Sequence, residues 1–206
     1  NKILITMSSI ILLWSCNSTD KTHMNDGTNE IEVLTKTIQE TNRSLNTIDA
    51  IVNNLREVTP TQKDDILKVF PTEILGFQRK ISNVEQSSHT LDISTADAIY
   101  ENAGNKVTIT ITDGAGETGS SILSILMIAL QCDFEKKTEN GIEKTDYLNG
   151  KKAILKEEKN FEKKQITKSS IQYIARNRYA VSLSSEILKL DELKKFNQHL
   201  KLDQLP

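Results

Sequence analysis

The chain has 206 residues, 37% hydrophobic and 26% charged, with 26 Lys and Arg against 28 Asp and Glu and a net charge of −2. That balance excludes a wholly disordered, collagenous or multispanning membrane protein, and without a basic excess nothing attracts a nucleic acid. Two cysteines are too few for a disulfide-stapled mini-domain or a Cys-rich zinc module.

In chain order, the first predicted element is a secretory signal over residues 1–15. Lys2 supplies its charge, and Ile3, Leu4, Ile5, Met7, Ile10, Ile11, Leu12, Leu13 and Trp14 form an apolar run shorter than the roughly 20 residues a membrane span takes. The run closes on Leu13-Trp14-Ser15-Cys16, which resembles a bacterial lipobox, with Trp14 bulkier than the usual small residue. The resemblance implies cleavage before Cys16 and lipidation of Cys16, and so stable attachment to a membrane through several acyl chains. Residues 16–28 carry Met24 as their one large apolar side chain and read as a flexible tether.

A long amphipathic helix is expected over 29–58. Ile31, Leu34, Ile38, Thr41, Leu45, Ile48, Val52 and Leu55 recur at alternating steps of three and four, which is a heptad seam, and Thr59-Pro60 ends it. The seam fits packing on the chain's own body, a free-standing stalk, or a homo-oligomer through helix 29–58.

Residues 60–206 are expected to form one α+β body. Gln62 to Phe70 reads as a short helix stopped by Pro71, and Gly76 to Val84 as a first strand. Thr95 to Glu101 and Lys106 to Asp113 alternate apolar and polar residues around the turn 102–105. Thr118 to Gln131 is apolar almost all round and reads as a buried central helix. Asn149-Gly150 predicts a type I′ hairpin between 143–148 and 151–157. A third hairpin turns at 176–178, between Ile171-x-Tyr173-x-Ala175 and Tyr179-x-Val181-x-Leu183. A closing helix from Asp191 buries Leu193, Phe196, Asn197 and Leu200. The expected architecture is an antiparallel sheet of about six strands in three hairpins, packed by the central and C-terminal helices.

Residues 66–206 carry further motifs: Phe70-Pro71, Gly76-Phe77-Gln78-Arg79, Ala96-x-Ala98-x-Tyr100, the strand 107–113, Gly141-Ile142-Glu143-Lys144, Arg178-Tyr179-Ala180-Val181 and the tail from Asp191. In these the chain resembles an uncharacterised family of bacterial envelope proteins, and its element order is similar to PsbP/Mog1-type domains, by fold analogy alone. The resemblance implies a compartment and a binding or assembly role, with no activity to carry over.

Motifs for chemistry are weak. Gly114-Ala115-Gly116-Glu117-Thr118-Gly119 is formally G-x-G-x-x-G, but the strand before it alternates where a dinucleotide fold needs a continuously apolar one, so it reads as a glycine-rich turn with Thr118 near a helix N-cap. His23, His89 and His199 lack ligand spacing. Cys132 is expected to be buried and inert, with no histidine close in sequence. Asp97, Asp113 and Glu117 could converge at one end of a hairpin. The charged stretch 151–168 reads as a solvated hairpin edge, and Phe77, Tyr100, Tyr147, Phe161, Tyr173 and Tyr179 as core. The expectation is therefore a lipoprotein of the bacterial cell envelope, anchored in the outer membrane and facing the periplasm. Cys16 is lipidated, and no catalytic, cofactor-binding or metal residues are assigned. The partners are the membrane, a protein of the envelope and no nucleic acid. The alternative is a periplasmic carrier of small molecules or lipid with a cavity between the sheet and helix 118–131.

Overall fold

The structure is a computed structural model that describes residues 27–86, 93–160, 162 and 165–206. The signal, Cys16 and the tether as far as residue 26 lie outside the described residues, as do His23, His89 and Phe161. The elements are α1 (Gly27–Arg56), α2 (Lys63–Leu67), β1 (Glu73–Ile74), β2 (Phe77–Gln86), β3 (Ser94–Asn102), β4 (Asn105–Asp113), α3 (Gly116–Ala129), β5 (Glu135–Thr138), β6 (Gly141–Leu148), β7 (Lys151–Lys159), β8 (Ile166–Ala175), β9 (Tyr179–Ser185) and α4 (Leu190–Asn197).

Among the described residues the strands make one antiparallel sheet in the order β1-β2-β3-β4-β9-β8-β7-β6-β5. Two meanders, β1 to β4 and β5 to β9, are joined edge to edge where Ile109 faces Leu183 and Ile111 faces Val181. The class is α+β, as the residue pattern predicts, but the sheet has nine strands and not about six. The short additions are β1, with two residues, and β5, whose four residues Glu135 to Thr138 are all exposed. β1 buries Ile74 but is too short to show an alternation, and β5 has no face to bury.

Turn chemistry fixes the hairpins. Asn149 and Gly150 have φ of +51° and +77°, Ala103 and Gly104 of +48° and +82°, and Arg176 and Asn177 of +54° each. Two consecutive positive φ values match the right-handed twist of the flanking strands.

The period-two pattern then sorts the sheet into two faces. Ala96, Ala98, Tyr100, Val107, Ile109, Ile111, Leu155, Ile171, Tyr173, Val181 and Leu183 are almost fully buried under α2 and α4, together with Ile66, Val69, Phe70, Leu193 and Phe196. Phe196 meets Phe77 and Tyr100 edge-on, at centroid distances of 5.6 and 5.3 Å. On the opposite face α1 and α3 form a second, smaller core in which Ile48, Val52, Leu55, Leu123 and Met127 pack with Ile174 and Ala180 of the sheet.

Two expectations need correction here. The central helix is not buried all round: Leu123 and Met127 face inward, while Ile122, Ile125 and Ile128 are 39%, 54% and 49% exposed, because α1 and the sheet cover one side only. Tyr147 is 69% exposed, on β6 near the sheet edge, and is not a core residue.

Candidate functional site

The densest polar cluster sits where four segments converge: the end of β4, the start of α3, the 57–61 linker after α1 and the turn between β8 and β9. Asp113, the last residue of β4, follows the inward series 107, 109, 111 and is therefore buried, with a side-chain exposure of 0%. Arg178 stands opposite, as the last residue of the β8–β9 turn. Its Nε donates to Asp113 Oδ1 at 2.7 Å and its Nη2 to Oδ2 at 2.8 Å, a bidentate pair. The Ala115 amide donates to Oδ1 at 3.0 Å and the Thr61 amide to Oδ2 at 2.7 Å. Arg178 Nη2 also reaches the Thr59 carbonyl at 3.1 Å and Thr61 Oγ1 at 3.0 Å. Thr61 Oγ1 and the Tyr179 hydroxyl lie 2.8 Å apart, and that hydroxyl donates to the Pro206 carbonyl at 3.2 Å.

Burial opposes the Asp113 charge, yet the bonds from Arg178, Thr61 and Ala115 outweigh it and hold the carboxyl below its ordinary range. Burial likewise pushes the Tyr179 hydroxyl up. Each carboxylate oxygen already accepts two donors. A general base needs a free lone pair aimed at a substrate proton, and here the lone pairs are committed to holding segments together. The cluster is a structural joint.

The other chemical candidates disperse. Asp97 lies on the opposite face of the sheet and accepts from Thr110 Oγ1 at 2.5 Å. Glu117 is exposed on the first turn of α3. The three carboxylates do not converge, and among the described residues no group of three or more His, Cys, Asp or Glu could hold a metal ion.

The glycine-rich turn has a packing explanation. A Cβ on Gly119 would lie 2.5 Å from the Asp113 carbonyl oxygen, and one on Gly114 would lie 2.6 Å from the Arg178 carbonyl oxygen, so the helix start is pressed against the strand end. Ala115 is the N-cap of α3, which places Thr118 inside the helix and not at its cap. The Ala115 amide is bonded to Asp113 and the Gly116 amide to the Val58 carbonyl at 3.1 Å. Two of the donors that an anion would use are thus already occupied.

His199 is exposed, with Nδ1 3.0 Å from the Lys195 carbonyl. Cys132 is half-buried in the turn after α3 and disulfide-bonded, where a fully buried, inert thiol was expected. The stretch 151–168 is not the solvated edge expected: β7 pairs with β6 on one side and β8 on the other, buries Ala153 and Leu155, and carries its charges as pairs along the strand, Lys156–Glu158 at 2.7 Å and Lys159–Glu157 at 3.0 Å. Leu123 and Met127 fill the space between α3 and Ile174 and Ala180. A second buried polar contact, Tyr173 donating to Asn197 Oδ1 at 2.7 Å, ties α4 to β8.

Sequence reasoning missed Thr61, Arg178 and Tyr179 as partners of Asp113. They are separated from it by 52, 65 and 66 residues, and no local spacing links them. Among the described residues no helix is long and apolar enough to cross a membrane. No family model, curated protein or solved structure gives a significant match to the chain.

Proposed function

We propose that the chain is a lipid-anchored protein of the bacterial cell envelope whose body binds or scaffolds a partner and carries no catalysis. The carrying observation is the run Leu13-Trp14-Ser15-Cys16, which follows an apolar segment too short to span and precedes a tether. The body adds support from its chemistry. Its buried charge pair is saturated by internal donors, and its glycine-rich turn has committed amides. Side chains fill the groove a carrier would use, so the carrier reading has less support. The resemblance to envelope proteins and the outer-membrane location are part of the same proposal.

The test is the chain expressed with its own leader in a bacterial host, compared with Cys16→Ala by membrane fractionation and intact mass. The proposal expects a membrane-bound, acylated parent cleaved before Cys16, and a mutant that is soluble or unprocessed. A parent without acyl mass, with Cys16 joined to Cys132 in a disulfide, would overturn it, as would a Cys16→Ala protein that is processed and membrane-bound like the parent.

A further inference from the structure

The two helices of the second core differ in length. The start of α3 is bonded to the end of α1 through the Gly116 amide and the Val58 carbonyl, and both helices pack along their apolar sides, so they run antiparallel. At 1.5 Å per residue α3 covers about 21 Å and α1 about 45 Å. Leu45, some 20 Å back from Val58, is therefore abreast of the last turn of α3. Exposure follows this limit: Ile48, Val52 and Leu55 are 4–7% exposed, and Leu45 is 40% exposed. The fifteen residues from Gly27 to Thr41 extend past α3 by roughly 22 Å. An isolated helix of that length is marginal in water. The heptad register nevertheless continues through Thr41, Ile38, Leu34 and Ile31.

We propose that this overhang pairs with the overhang of a second copy of the chain, antiparallel, about a twofold axis near residue 36. A heptad stripe is narrow and fits a helix, whereas a membrane surface calls for a broad apolar face with basic flanks. The overhang carries Glu30, Glu32 and Glu40 against Lys36, so nothing draws it to anionic lipid. Of the positions flanking the seam, Glu30, Thr35, Thr37, Asn42 and Ser44, one is charged, so like charges do not oppose self-pairing.

Direction follows from α3. In a parallel pair the second helix would run on along Ile48, Val52 and Leu55, a space α3 occupies. In an antiparallel pair each overhang stops where the other copy's α3 begins. The register that centres on residue 36 sets Leu34 opposite Ile38 of the second copy and Ile31 opposite its Thr41. A contact no longer than this overhang of roughly 22 Å and one helix wide covers a few hundred Å² per copy, under the roughly 800 Å² of a standard interface, so the dimer assembles in the micromolar range.

The test is sedimentation equilibrium of the detergent-solubilised full chain. The mass should rise from one chain toward two between about 1 and 100 µM, and both Leu34→Glu and Ile38→Lys should raise the dissociation constant tenfold or more. A mixture of the two variants should recover the dimer, because the antiparallel register sets the new acid opposite the new base, whereas a parallel register would not. At about 1 µM, where the parent is monomeric, both variants should keep its melting midpoint, since positions 34 and 38 lie beyond α3. A parent that stays monomeric, a variant that dimerises like the parent, a mixture that stays monomeric, or a shifted midpoint would each overturn the proposal.

Discussion

Replacing Arg178 by Met removes a guanidinium and keeps most of the side chain's volume. Asp113 would then remain fully buried with its bonds to the Thr61 and Ala115 amides and without its counter-charge. Leaving one member of a buried pair uncompensated costs about 3–5 kcal/mol. The bond from Arg178 to Thr59 adds little, because Thr59 is exposed and water can replace the donor. A loss near 4 kcal/mol is about a quarter or more of a typical domain's stability, and at about 2–4 °C per kcal/mol it lowers Tm by roughly 10 °C. The assay is urea unfolding at pH 7 and at pH 4. In the parent, the folded carboxyl titrates below its ordinary value of 3.8, so its contribution is present above that value and is lost as pH falls through the lower folded value. In the variant burial is opposed only by the Thr61 and Ala115 amides, so the folded value lies above the parent's and less of the contribution is present at neutral pH. The gap between parent and variant should therefore shrink on acidification. An unchanged midpoint at pH 7, or a gap that widens at pH 4, would refute the reading of Asp113 and Arg178 as a stabilising joint.

Gly119→Ala should cost more than 2 kcal/mol by denaturant unfolding, because the new Cβ meets the Asp113 carbonyl at 2.5 Å and backbone must move. Gly150→Val should cost on the order of 1–2 kcal/mol: nothing lies within 4 Å of an added Cβ, so the penalty is the φ of +77° alone. If the two substitutions cost the same, the crowding argument at α3 fails. Ile48→Glu, placing a charge at a position 4% exposed, should lower stability by several kcal/mol at any protein concentration, while Asp49→Ala on the solvent side should move the midpoint by less than about 0.5 kcal/mol.

Much of the fold was legible because periodicity reports burial. The alternation of Val107, Ile109 and Ile111 with threonines, the Asn149-Gly150 turn and the spacing of Leu193, Phe196 and Leu200 each describe a segment against one large surface. The signal failed where a segment has no inner face, as in β5, whose Glu135-Lys136-Lys137-Thr138 reads as loop. It also failed for α3, since Ile122, Ile125 and Ile128 look like core residues in composition, and only the width of the covering layer leaves them outside. The joint was illegible for a different reason. Asp113 could be singled out as one carboxylate among three, but its partnership with Arg178 depends on β4 and β9 becoming neighbours, which is a property of sheet order and not of any local run.

That sheet order has a kinetic consequence. Each meander is a chain of hairpins with short turns, so its pairings close small loops and form on the microsecond scale. The central seam is different: Asp113 and Tyr179 are register partners 66 positions apart, and closing such a loop costs about 3.7 kcal/mol of chain entropy before any contact repays it. The same event assembles the Asp113–Arg178 pair, because both residues sit at the end of that seam. While the chain is being synthesised or threaded from its N-terminus, the β1 to β4 meander must therefore wait, with one edge unpaired, until β9 emerges.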